Sequence, residues 1–158
     1  MAAAMELTSQ MRQAIDDAVL CWLATASREG APNVSPKEVF GTVRGDIVIA
    51  DIASPRSVRN IAGNEHVAVA VLDVFAQEGW SFTGRATLVR PGEDDFTELA
   101  APLEAMTDGQ YVIRAVIRVT VEGAQRIVAP SSWVFPDRPA EVTRAAVLAR
   151  YGVRETGT

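Results

Sequence analysis

Asp46-Ile47-Val48-Ile49-Ala50-Asp51-Ile52-Ala53-Ser54-Pro55-Arg56-Ser57-Val58-Arg59-Asn60-Ile61 changes its period partway along. Up to Ile52 the β-branched residues read as a strand; beyond Ser54, Val58, Ile61 and Ala62 fall at helical spacing. Pro55 at the first helical position and Asn64 near the end are start and stop signals for a helix over 54–64. Its first turns carry Arg56 and Arg59, although a helix N-terminus is electropositive and favours acids. Cations there cost about 0.3 to 1 kcal/mol each when exposed, so something negative is expected beside them.

Working outward, Asn33–Phe40 alternates as a strand and pairs as a hairpin with Leu20–Ser27 through the turn Arg28-Glu29-Gly30-Ala31. Residues 41–45 turn the chain into the strand over 46–52. An amphipathic helix precedes them, with Met11, Ile15 and Ala18 on one face and Thr8 or Ser9 as cap. Downstream, Val67–Val74 is nearly continuous in Val, Ala and Leu and reads as a strand buried on both faces. Trp80, Phe82, Gly84, Ala86 and Leu88 alternate with polar residues as a half-exposed strand, stopped by Pro91-Gly92. Glu93–Met106 reads as a helix broken at Pro102, Tyr111–Val121 as a strand, and Ala124–Val128 as its partner. A proline-bounded loop from Pro130 leads to a helix from Glu141 to about Arg150. Six or seven short strands with few helices favour antiparallel pairing, hence a barrel-like sheet with helices on its outside.

The 158 residues fit a single domain over 1–158, its core at about 19–129, followed by a C-terminal loop and helix at 130–158. Apolar residues make up 48% and charged residues 22%, the balance of a globular protein. A net charge of −5 argues against a nucleic-acid or anionic-membrane partner. Cys21 is alone, which excludes an internal disulfide, and it reads as a small core residue. Met1-Ala2-Ala3-Ala4-Met5 lacks the charged and apolar regions of a leader, and no apolar run reaches membrane-span length, so the cytoplasm is the expected compartment. His66 is the single histidine and reads as a strand-end surface residue; no cluster supports a metal site.

Strand alternation over 33–40 places Asn33, Ser35 and Lys37 on one face and Val34, Pro36, Glu38 and Phe40 on the other. Lys37 is the single lysine beside fourteen arginines. Pro36 cannot donate to a ladder and implies an edge or a bulge, where a ligand can approach backbone. Arg56, Arg59 and Asn60 share a helix face, with Ser57 in the first turn. A solvated strand face, and a solvated helix face pairing with Asp51 or Glu65, would carry the same letters. Taken together, the two segments suit a phosphate monoester, which gains from free N–H groups, the helix dipole and guanidinium forks at once.

Asn33-Val34-Ser35-Pro36-Lys37, the strand Ile47–Asp51, and Ser54–Ile61 running into Asn64-Glu65-His66-Val67-Ala68-Val69 resemble the FMN-binding split-barrel family, which includes pyridoxamine 5′-phosphate oxidase. The resemblance covers about Val19 to Val89, with a weaker echo over Tyr111–Val128. It implies a six-stranded antiparallel split β-barrel with peripheral helices, forming a homodimer with FMN at the subunit interface. Carried over, Arg56 and Ser57 bind the phosphate, Asn60 supports them, and Lys37 reaches the phosphate or the ring. Val34, Ser35 and Pro36 line the ring edge, Ala50, Asp51 and Ile52 pass backbone groups beside the ribityl chain, and Gln77 or Trp80 closes the site from the second subunit. The activity implied is a flavin-dependent oxidoreductase acting on a small-molecule substrate or electron donor. A flavin carrier without its own substrate is the alternative, as is deazaflavin F420, whose acidic tail would need a groove built by Arg85, Arg114 and Arg118, or heme. Pyridoxamine 5′-phosphate oxidase itself is not expected: the chain lacks the C-terminal Arg-x-His and ends its core with Pro130-Ser131-Ser132-Trp133-Val134-Phe135. Trp133 and Phe135 read equally as interface or ring-covering residues and as packing on the barrel rim.

Overall fold

The computed structural model describes residues 3–156. In chain order the elements are α1 (Ser9–Asp17), β1 (Cys21–Ala26), β2 (Pro32–Lys37), β3 (Phe40–Val43), β4 (Asp46–Asp51), α2 (Pro55–Gly63), β5 (His66–Asp73), β6 (Glu78–Val89), α3 (Phe96–Thr107), β7 (Ala115–Val128), α4 (Pro130–Val134) and α5 (Ala140–Tyr151). All strand pairs are antiparallel, in one curled seven-stranded sheet ordered β2-β1-β5-β6-β7-β4-β3. The class is the one expected, with seven strands instead of six. The added strand is β3. Arg44 and Gly45 both have positive φ, 53° and 88°, and close a two-residue turn that pairs Val43 with Asp46. Residues 41–43 therefore belong to a hairpin arm and not to a long turn.

Two further expectations are corrected at β7. Residues 111–114 precede the strand, and Ala124–Val128 continues it instead of folding back. The Glu122-Gly123 interruption is a bulge: Thr83 faces Gly123 and Gly84 faces Val121, which leaves Glu122 as the extra residue. Pro102 sits inside α3 without breaking it. The proline is exposed and removes a single ladder donor, while Leu99 and Leu103 on either side are buried and hold both halves on the sheet. β5 is buried on one face only, through Val67, Val69 and Val71, because no element covers Ala68 and Ala70. Pro130 starts a five-residue helix in what reads as loop.

The inside of the curl is filled by Leu23, Ile47, Ile49, Val69, Phe82, Ile117 and Val119, all fully buried, with Leu7, Met11 and Ile15 closing it. On the opposite face of β4 and β7, α3 presents Leu99, Ala100 and Leu103 to Val48, Ala50 and Val116. Arg118 ties these layers together, bonding Asp46 at 2.5 Å and Asp95 at 3.3 Å. Among the described residues no helix is long and apolar enough to cross a membrane.

Candidate functional site

Ile61 anchors α2 in the core, and helical spacing then puts Ser57 and Asn60 on the same buried face. The anchor that holds the helix thus presses polar side chains against β1 and β2. Asn60 Nδ2 donates to Thr25 Oγ1 at 3.0 Å, and Asn33 Nδ2 reaches the same oxygen at 3.4 Å. The hydroxyls of Ser35 and Ser57 are 3.0 Å apart. Lys37 Nζ donates to Ser54 Oγ, and the Ser54 N–H donates to Asp51 Oδ1 at 3.0 Å. Engaged in this way, Ser54 makes no side-chain cap on α2, although it occupies the N-cap position. The free N–H groups of the first turn, the Lys37 ammonium and the Ser35, Ser54 and Ser57 hydroxyls therefore gather at one helix end.

Edge position explains why β2 can contribute. β2 ends the sheet, so Pro36 breaks no ladder on its outer side, as its lack of an N–H requires. The Asn33, Ser35, Lys37 row turns toward α2, and Val34, 60% exposed, turns away with Pro36. Lys37 is only 6% exposed. Burial lowers its pKa from the ordinary 10.5, while the neighbouring Asp51 carboxylate and Cys21 act in the opposite sense. An ammonium has three donors and Lys37 donates to one side-chain acceptor among the described residues, which leaves donors for a ligand.

A buried ammonium that serves a ligand weakens the ligand-free protein. Because folding lowers this pKa, the unfolded chain binds more protons between the folded value and 10.5, and stability rises with pH across that window. Lys37→Met, similar in volume and uncharged, is expected to stabilise anion-free protein, because the burial that disfavours the ammonium outweighs its attraction to Asp51. Thermal melts in buffer without phosphate or sulfate check this; a lower melting temperature would count against the ligand-serving role.

Beside Lys37 in the sheet, Cys21 is fully buried and its thiol is pushed up to about 12 by burial, against the pull of Lys37. It is a core residue and no nucleophile at neutral pH. Arg56 and Arg59 are exposed and pair with no carboxylate among the described residues. Neither Asp51 nor Glu65 serves them: Asp51 accepts from Ser54, and Glu65 bonds Arg85 at 2.9 Å. The backbone beside Asp51 is committed to the sheet, with Ala50 N–H on the Val39 carbonyl and the Asp51 carbonyl accepting from Arg114, both at 2.9 Å. Asp51 thus reaches the cluster through its side chain, and Ile52 packs toward α3.

Gln77 and Trp80 lie apart from this cluster. Register runs Lys37, Cys21, Val71, Trp80 across β2, β1, β5 and β6, three strand spacings or roughly 14 Å. Gln77, at φ 57°, is in the β5–β6 turn beyond, its carbonyl accepting from Ala129 N–H at 3.1 Å. Trp80 stacks on Phe82 at 6.5 Å, with the Arg126 guanidinium 5.4 Å from its ring. No basic groove forms from Arg85, Arg114 and Arg118. Arg85 is held by Glu65 and Glu122, both at 2.9 Å, Arg118 by Asp46 and Asp95, and Arg114 is exposed and forms no ion pair among the described residues. Acids from other segments of the chain thus consume two of the three charges that the letters alone leave free.

His66 is exposed at the start of β5, and among the described residues no three His, Cys, Asp or Glu gather as a metal site. Trp133 and Phe135 are 76% and 50% exposed and join neither buried cluster; Arg138 covers Phe135 at 4.2 Å. Two contributors escaped the sequence reading, Thr25 and Ser54. Thr25 was visible in principle: it follows Cys21 and Leu23 at the inward register of β1, where a hydroxyl needs a partner.

The sequence profile of the family described as pyridoxamine 5′-phosphate oxidase matches residues 7–144. No curated protein matches the chain. Among solved structures, an FMN-binding protein from Syntrophomonas wolfei is 13% identical, with a TM-score of 0.61 over 76% of this chain and 90% of that one. HutZ from Vibrio cholerae, a heme storage protein, is 20% identical, with a TM-score of 0.62 over 78% and 95%. An F420 reductase is 18% identical, with a TM-score of 0.57 over 75% and 98%. At these identities the likeness is one of fold.

Proposed function

The chain belongs to the pyridoxamine 5′-phosphate oxidase family, and from that premise we propose that it is an FMN-binding flavoprotein oxidoreductase, distinct from pyridoxamine 5′-phosphate oxidase proper. The observation that carries the reading is the meeting of Lys37 with the uncapped start of α2, where Ser35, Ser54 and Ser57 add hydroxyls. This donor set fits a phosphate dianion. Arg56, exposed and without an ion pair among the described residues, lies at the same helix end and can swing onto it. FMN, when bound, supplies the hydride or electron chemistry; the residues supply position and charge. Asp51 and Thr25 act through others, fixing Ser54 and Asn60.

A second copy of the chain belongs to this proposal. The outward face of β2, β1 and β5 carries Val34, Pro36 and Trp22 beside the small Ala24, Ala68 and Ala70, with Trp22 46% exposed. Such a face suits a homodimer, and Gln77 and Trp80, too far from Lys37 in their own subunit, would approach the site from the partner. The compartment that suits this reading is the cytoplasm.

FMN is favoured over the ligands of the other relatives on two counts. The F420 tail would need free cations, yet Arg85 and Arg118 are paired. Heme would call for an iron ligand, and the single histidine, His66, lies past the far end of α2, about 13 Å along a nine-residue helix from the anion cluster. Purified protein is expected to be yellow, to show flavin absorption, and to release FMN on denaturation, identified by mass. A colourless protein that takes up no FMN rejects the proposal. Rapid, selective oxidation of NADH or NADPH separates an enzyme from a flavin carrier.

A further inference from the structure

α5 docks on the β5–β6 turn through Val147, the Phe75–Tyr151 ring contact at 6.1 Å, and an ion pair between Arg144 and Asp73 at 3.7 Å. A cavity of about 600 Å³ lies at this junction. Its apolar wall includes Val142 and Val147, and Gln77, Ser131 and Thr143 add polar groups. Arg138 and Arg150 both line it, and among the described residues neither forms an ion pair. Among the described residues no carboxylate lines it. Three other cavities do contain one or more: Glu122 in one, Glu65 in another, and Asp17, Asp73 and Glu78 in the largest. In a chain of net charge −5, Arg138 and Arg150 bring two cations, and among the described residues no acid, to the lining of one cavity.

We propose that this cavity is a second ligand site, which takes a small organic acid by forking its carboxylate onto Arg138 and Arg150 while an apolar body rests on Val142 and Val147. The size lies within the range of small-molecule pockets, about 300 to 1,000 Å³. Paired guanidiniums match a carboxylate's geometry better than lysines would. Within one subunit none of the Lys37-cluster residues lines this cavity, so it stands whether or not FMN binds there; Gln77, which would also reach the partner's flavin site, borders both, and Ser131 and Thr143 are the reporters specific to this cavity.

Benzoate titrated into ¹⁵N-labelled full-length protein tests the assignment. Saturable amide shifts are expected at Gln77, Ser131 and Thr143, with benzamide, the neutral isostere, producing none. R138Q/R150Q is expected to weaken benzoate by about tenfold or more, the loss anticipated for removing charged hydrogen-bond donors. R138K/R150K, which keeps the charges but loses the forks, is expected to fall between. Both arginines are surface groups, and unchanged amide shifts at Phe75 and Asp73, which α5 contacts, in the benzoate-free variants verify that α5 remains docked. Absence of saturable shifts, equal shifts with benzamide, shifts confined to residues 54–60, or undiminished binding by R138Q/R150Q would each overturn it.

Discussion

Replacing Lys37 with methionine and Arg56 with glutamine together is expected to weaken FMN binding by about a thousandfold, with Lys37 responsible for the larger share. The division follows from burial. Lys37 is 6% exposed, so its ammonium would meet the phosphate with little competing water, and a charged hydrogen bond of that kind contributes about 1.5 to 3 kcal/mol. Arg56 is exposed and screened, so its contribution belongs with surface ion pairs, up to about 1 kcal/mol. At their upper ends these sum to roughly 4 kcal/mol, or three decades in affinity. Quenching of FMN fluorescence on titration with protein measures it. Lys37→Met alone is expected to bind about a hundredfold more weakly while melting higher without ligand, a divergence that a merely structural lysine would not give. Tight FMN binding by the double variant would move the phosphate elsewhere.

How far these residues could be read beforehand depended on whether their partners were local. Ser54-Pro55-Arg56-Ser57 carries its own helix signals, and Asn33, Ser35 and Lys37 follow from alternation alone, so both halves of the cluster were legible. That they meet, Lys37 against Ser54 and Ser35 against Ser57, depends on a sheet order that no local pattern encodes. The basic groove failed for the same reason: the acids that hold Arg85 and Arg118 lie on other segments and approach only after pairing. The strand count missed β3 because four residues give too short an alternation to separate from a turn, and Arg44 is an uncommon residue at positive φ. The break at Glu122-Gly123 was seen but assigned to a turn, since a bulge and a turn share the same weak β-formers.

That bulge sets up the second large effect. Gly84→Ala is expected to destabilise the protein by about 3 kcal/mol, at or beyond the upper end of ordinary overpacking. A Cβ built at Gly84 would lie 2.1 Å from the Thr120 carbonyl oxygen and 3.1 Å from the Val121 Cα. These are backbone atoms of the neighbouring strand, so no rotamer change relieves the contact, and β6 and β7 must separate where the bulge bends them. Flanking positions give no slack: Phe82 and Val119 are fully exposed to the core and not to solvent, at 0% accessibility, and Val121 is at 1%. The strands concerned are central, with β5 and β4 on either side, so displacement propagates across the sheet instead of being absorbed at an edge. A globular domain has about 5 to 15 kcal/mol in total, so the variant should still fold but lose a large fraction of its margin. Urea denaturation read by tryptophan fluorescence measures the loss. Gly41→Ala, where the added carbon meets nothing within 4 Å, is the control and is expected to change stability by less than about 1 kcal/mol. Equal midpoints for the two variants would mean that the close approach of β6 to β7 is not what shapes the barrel.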